Sequence, residues 1–199
     1  MRRKDFECQD KILAFKILDE LQDGTLATLN KLGAPTLRPM NYVRIDDVIY
    51  FHGASKGERS QGLNQLAVFN AYRTLAIIPS YWSDPVNACP ATTLFESISI
   101  KGTLEIENNP EVKALALQKF MQKLQPEGKH LSISQNLNYY RQEIDRVAVF
   151  KLPITELSFK LKTGQNWNDE KRKVIEKLLR QRAQGFDILA SNYISGVCK

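Results

Sequence analysis

Between residues 52 and 59 the chain gathers small residues, two glycines and two cations that could grip an anion: His52-Gly53-Ala54-Ser55-Lys56-Gly57 and then Arg59. The segment Glu58–Leu66 that follows has a helical apolar pattern, with Leu63 and Leu66 three apart. N–H groups at a helix start point outward, and the helix dipole favours negative charge there. A glycine-rich loop just before such a start lets a phosphate come close to the backbone. Lys56 would add a point charge, and Arg59 could bind two oxygens in a fork. The spacing therefore reads as a phosphate site. It reads equally as a hairpin followed by a solvated basic helix start, because Lys and Arg are surface residues by default.

The elements that must hold these residues are legible on either side. Thr36 to Ile45 alternates as a strand and ends at Asp46-Asp47, a pair suited to a tight turn. Val48-Ile49-Tyr50-Phe51 is β-branched and aromatic, so it should pair back as the second strand. The loop at His52–Gly57 leaves from the end of that second strand.

Arg38-Pro39-Met40-Asn41-Tyr42-Val43, then Val48-Ile49-Tyr50-Phe51-His52, then Gly57-Glu58-Arg59, resembles the flavin-binding pattern of the pyridoxamine 5'-phosphate oxidase-like split barrels. The nitroimidazole-reductase-like branch of that family is the most similar one. The resemblance implies an FMN cofactor, with the strand Arg38–Val43 along the flavin ring and a basic pair at the helix start on its phosphate. The family often carries Gly-Arg-Lys where this chain has Gly57-Glu58-Arg59, so one cation is missing and Lys56 stands as its substitute. The likeness runs from about Thr25 to Gly102. On it, the cofactor-binding residues are Arg38, Pro39, Met40, Asn41, Tyr42 and Val43 of the strand, His52 and Gly53 after the turn, and Lys56, Gly57, Arg59 and Ser60 of the loop. Ser97, in a Ser97–Gly102 segment like the family's Ser-Val-x-Val-x-Gly, and Gln165 and Trp167, in a Lys-x-Gly-Gln-Asn-like segment, complete the set. The family's barrels pair with each flavin between subunits, which makes a homodimer the expected partner state and Trp167 a candidate to reach across.

Further along, helices are expected over residues 9–22, from Pro110 to about Leu124 under an Asn109 cap, and from Asn168 or Asp169 to about Arg182. Strands are expected over Thr25–Asn30, Ala67–Pro79, Leu94–Glu107 and Arg146–Leu161, the last bent at Pro153. The tail 186–196 is weakly amphipathic. Residues 80–93 form a long loop with Tyr81 and Trp82, which serve either as stacking partners or as aromatic plugs. About six antiparallel strands with helices between them point to a mainly β, α+β fold. That is a six-stranded antiparallel Greek-key split barrel rather than a βαβ fold. The whole of 1–199 is expected as a single domain: an N-terminal helix in 1–23, the barrel with inserted helices in 24–161, and a C-terminal helical segment in 162–199.

Composition narrows the classes. With 43% hydrophobic and 25% charged residues the chain is an ordinary globular protein. Its net charge of +6 is spread out, which fits solvated faces rather than a nucleic-acid surface. Cys8, Cys89 and Cys198 fit neither a disulfide framework nor zinc spacing, which favours a reducing cytoplasm. No signal peptide and no membrane span is legible. There is no nucleophile elbow, Walker loop, dinucleotide fingerprint or metal motif, and the only histidines are His52 and His130.

A chain without its own acid–base constellation suits a flavin, which carries the hydride chemistry itself. The resemblance therefore implies an FMN-dependent oxidoreductase. It would reduce a small nitroaromatic or quinone-like acceptor, with NAD(P)H as a candidate electron donor. Pyridoxamine-phosphate oxidation is disfavoured, because the Arg-Leu segment of the true oxidases is replaced by Gln165-Asn166-Trp167. A non-catalytic flavin- or haem-binding protein or regulator, and a haem-handling enzyme on the same barrel, are the other readings.

Overall fold

The computed structural model describes residues 3–54 and 62–196. Ten strands and five helices alternate along them. They are β1 (Glu7–Cys8), α1 (Lys11–Glu20), β2 (Asp23–Leu29), β3 (Pro35–Asn41), β4 (Val43–Ile45), β5 (Val48–Gly53), β6 (Leu66–Ile78), β7 (Thr92–Thr103) and β8 (Glu105–Glu107). After these come α2 (Pro110–Leu124), α3 (Asn138–Arg146), β9 (Ala148–Pro153), β10 (Glu156–Lys162), α4 (Asp169–Arg182) and α5 (Asp187–Gly196). The mainly β, α+β class expected from the sequence is what forms. The chain divides into two compact units.

One unit comprises Lys16–Ala71 and Ser99–Leu157. In it β6, β2 and β3 are neighbours, with Thr25 opposite both Asn70 and Pro39. The outer strand β3 holds Pro35 and Pro39, and proline is tolerated there because an edge strand has amide positions that face no ladder. A second sheet has the order β4-β5-β9-β8, all antiparallel. The expected hairpin is present: Val43 faces Tyr50 and Ile45 faces Val48, around the Asp46-Asp47 turn. Asp46 sits at φ 51°, a left-handed conformation that aspartate tolerates better than most side chains. Helix α2 covers this sheet, burying Ala116 and Phe120 with Val43, Tyr50 and Val149. Its start is the expected one, with the Asn109 side chain accepting from the amides of Glu111 and Val112 and Pro110 in the first turn.

The other unit comprises Met1–Phe15, Tyr72–Ile98 and Ser158–Lys199. Its strands follow the order β1-β10-β7-β6, with Glu7 opposite Lys160. Helices α4 and α5 pack on each other, and Ile175, Leu179, Ala190 and Ile194 are buried. Asn168 caps α4 by accepting from the amide of Lys171. Inside the unit Glu96 is fully buried and takes the Arg73 guanidinium at 2.7 Å, while Asp187 takes that of Arg182 in a two-pronged pair at 2.7 Å. Each carboxylate is thus matched before it is desolvated, which a buried charge requires.

The strand expected over Leu94–Glu107 is two strands, because the backbone of Leu104 exchanges hydrogen bonds with Asn64 and Gln65 instead of continuing the ladder. The run Arg146–Leu161 is likewise two strands. Pro153 cannot donate, and the next amides turn away, Ile154 to the carbonyl of Asp47 and Thr155 to that of Lys101. Leu66 opens β6 rather than sitting on a helix, since Gly62–Gln65 is a turn. Cysteine usage also differs from expectation: Cys8 is disulfide-bonded, while Cys89 is free and exposed. Wide sequence spacing conceals such pairing, because only the fold decides which cysteines meet.

Gly102 shows how closely the backbones approach. A Cβ there would stand 2.0 Å from the carbonyl oxygen of Pro153. Gly102→Ala should therefore cost about 1–3 kcal/mol of stability, the range for overpacking. The drop should appear as a lower urea midpoint at unchanged slope; an unaltered midpoint would show that the β9 end yields freely.

Candidate functional site

Strands β2 and β3 present one inward face, made by Leu26, Thr28, Thr36, Arg38 and Met40. Thr28 and Thr36 face each other with their hydroxyls 3.1 Å apart, and Thr36 also donates to the carbonyl of Thr28. Across the register the Arg38 guanidinium donates to the Thr28 hydroxyl at 2.8 Å. Arg38 is half-buried, so its position is fixed by packing and by this bond rather than left to solvent. Where the described chain resumes, Gly62 lies directly on Thr28: a Cβ on Gly62 would come within 2.7 Å of that side chain. A glycine is what lets the backbone close in on the hydroxyl that holds Arg38.

The run through residues 35–45 does not stay in one sheet. Tyr42 separates β3 from β4 and is fully buried. Its hydroxyl donates to the carbonyl of Leu18 at 2.6 Å, and its ring meets Phe69 edge-on at 4.7 Å. Burial, helped by Asp19 and Asp23, pushes this phenol far above its ordinary range, so it remains a donor. Lys123 of α2 closes the same corner. Its ammonium donates to the carbonyl of Tyr42 at 3.1 Å and that of Leu18 at 3.5 Å, and stands 4.1 Å from the Tyr42 ring centre. Burial pulls the Lys123 ammonium down to about 8, against the opposing pull of Asp19 and Asp23.

Beside that corner opens a cleft of about 460 Å³, lined by Asp19, Val43, Arg44, Ile45, Asp46, Lys119, Gln122 and Lys123. Arg44 is locked in it, gripping both carboxylate oxygens of Asp19 and the carbonyl of Asp46.

The remaining sequence candidates fall in several places. Pro39 and Asn41 lie on the exposed side of β3, and the Asn41 amide donates to the carbonyl of Gln22. His52 and Gly53 end β5, and the His52 ring packs on Phe120 at 4.4 Å between ring centres. Lys56, Gly57, Arg59 and Ser60 lie outside the described residues. In the other unit Ser97 lies half-buried on β7. Gln165 braces its own turn, donating to the carbonyl of Leu161 and accepting from the amide of Thr163. Trp167 covers the face of Gly164, which sits at φ 82°, and carries the Lys171 ammonium over its ring. In the long loop, Trp82 receives the Arg182 guanidinium over its ring while Tyr81 is exposed. Sequence reading missed Thr28, Arg44 and Lys123. Thr28 was visible only as a strand residue, and Lys123 as one more helix-surface lysine.

The sequence model of the pyridoxamine 5'-phosphate oxidase family matches residues 12–161, well over half of the chain. The chain belongs to this family. No curated protein matches at the sequence level. Among solved structures it is similar to a Bacteroides thetaiotaomicron VPI-5482 protein assigned to 5-nitroimidazole antibiotic resistance, at 20% identity and a TM-score of 0.62 over 77% of this chain and 85% of that one. It is similar also to the flavocytochrome Anf3 of Azotobacter vinelandii, at 22% identity and 0.65 over 84% and 75%. A third is the FAD and heme binding protein of Mycobacterium smegmatis, at 17% and 0.66 over 90% and 80%. At such identities the likeness is one of fold. It bears out the split-barrel class, with the strands gathered in sheets that stay open among the described residues.

Lys123 makes the corner pH-dependent. Unfolded, it keeps its proton to about 10.5; folded, only to about 8. Between those values the unfolded chain binds more protons, so stability rises with pH. Wild type should gain stability relative to Lys123→Met as pH climbs from about 8 towards 10.5, read from paired urea midpoints. A difference that stays flat or falls would show that Lys123 titrates normally.

Proposed function

We propose that this member of the family is an FMN-binding oxidoreductase that passes a hydride to a small nitroaromatic or quinone-like acceptor, working as a homodimer. The observation that carries the reading is Arg38, held half-buried by Thr28 where the backbone of Gly62 closes in. A fixed guanidinium beside hydroxyls and a close backbone approach is a donor set suited to a phosphate monoester. The donor set therefore fits FMN, whose phosphate would be taken by Arg38 and by Lys56 and Arg59 of the loop. FMN, when bound, supplies the hydride-transfer chemistry. The protein's part is binding and orientation: β3 offers a rigid wall, and its bend at Tyr42 fixes the wall's direction.

The outward face of β3 and its neighbours supports the dimer. Leu29, Leu37 and Leu66 are exposed there with Pro39, on strands that pair side by side. A second copy of the same face would cover these side chains through a two-fold axis. Soluble chains seldom leave so much apolar side chain uncovered on one sheet face.

Mass spectrometry of the cofactor released from purified protein should find FMN. The flavin's visible band should bleach when NAD(P)H is added, and the preparation should sediment as a dimer. FAD as the main species, or a Soret band without flavin, would overturn the assignment.

A further inference from the structure

The cleft beside Tyr42 has a chemistry of its own, independent of the flavin reading. Its floor is β4, its wall is α2, and the end of α1 supplies Asp19. Lys123 lies at the inner corner, its amine tethered by the carbonyls of Leu18 and Tyr42 and backed by an aromatic ring. Those two carbonyls hold the nitrogen in one place at the edge of a space large enough for a small metabolite. Lys119, one helical turn earlier, and Arg44 bring further positive charge to the same cleft, against Asp19 and Asp46. Asp19 is already committed to Arg44.

We propose that Lys123 is a nucleophilic amine that condenses in this cleft with a small carbonyl compound bearing a carboxylate, such as a 2-oxo acid or short aldehyde acid. The amine lone pair forms the new C–N bond at the carbonyl carbon. The carbonyl oxygen leaves as water, taking both amine protons, and an imine remains. No oxidant or reductant takes part. Lys119 holds the carboxylate of the incoming acid, which sets the preference for an anionic carbonyl compound over a neutral one.

Attack needs the neutral amine, and burial at this corner favours it: the ammonium is drawn down to about 8, with Asp19 and Asp23 opposing and Arg44, Lys119 and Asp46 the other charged groups around the cleft. A capping lysine at the end of α1 explains the two carbonyl contacts equally well. It does not explain why that amine borders an open cleft, and the two roles are compatible.

The test uses the full chain, glyoxylate as the probe, and cyanoborohydride to trap the imine as a stable secondary amine, with sites read by peptide mass mapping. Near pH 7.5 the gain in neutral amine outweighs the lower nucleophilicity of a weaker base, so labelling of Lys123 should outpace that of exposed Lys16 and Lys31 about tenfold. Acetaldehyde, which lacks the carboxylate, should show a smaller preference for Lys123. Labelling of Lys123 no faster than of Lys16 and Lys31 would overturn the proposal. Equal preference with acetaldehyde would overturn the role given to Lys119. Because wild type is labelled directly, neither outcome depends on a variant that folds.

Discussion

The buried hydroxyl of Tyr42 on the carbonyl of Leu18 is the contact around which the Lys16–Ala71 and Ser99–Leu157 unit is arranged. At that residue one extended run stops pairing with β2 and starts pairing with β5. A chain that changes sheets must leave its ladder, and the groups released there have to be satisfied locally. Three partners do so. The phenol takes a carbonyl at the end of α1, the ring takes Phe69, and Lys123 takes the carbonyl of Tyr42 itself. The orientation of β3 relative to β4, and with it the position of Arg38, follows from this corner.

The same corner explains two features that otherwise look unrelated. A lysine ends up partly desolvated because the tether that closes the helix end must come from α2, and only a long side chain reaches. The phenol is kept protonated by the same burial, so the donor that pins α1 is not lost at any ordinary pH. What serves packing in this way also leaves an amine at the margin of a cleft.

Much of this was legible in the sequence, and for reasons that can be named. The hairpin 43–51 was visible because a turn-forming Asp pair sits between β-branched runs, and the caps at Asn109 and Asn168 because side chains that bond helix-start amides are few. The family resemblance rested on Arg38–Val43, Val48–His52 and Gly57-Glu58-Arg59; the first two of these lie on β3, Tyr42 and the start of β4, and on β5, and the third lies outside the described residues. Sheet changes were not legible. Residues 94–107 and 146–161 each read as one strand, because alternation continues through Leu104 and Pro153 while the pairing partner changes. The Thr28–Arg38 bond was equally hidden, since register decides which side chains meet across two strands, and register comes from the folded pair. Disulfide bonding at Cys8 belongs to the same class of long-range fact.

The central claim is that the corner at Tyr42 and the bond to Thr28 hold Arg38 where it grips a flavin phosphate. The most direct measurement is the FMN dissociation constant of Arg38→Met beside that of wild type, with both chains shown to be folded under the assay conditions. Loss of a charge-assisted hydrogen bond is worth about 1.5–3 kcal/mol, so the account predicts FMN binding weaker by roughly ten- to a hundredfold in the variant. An unchanged dissociation constant in folded Arg38→Met would contradict it.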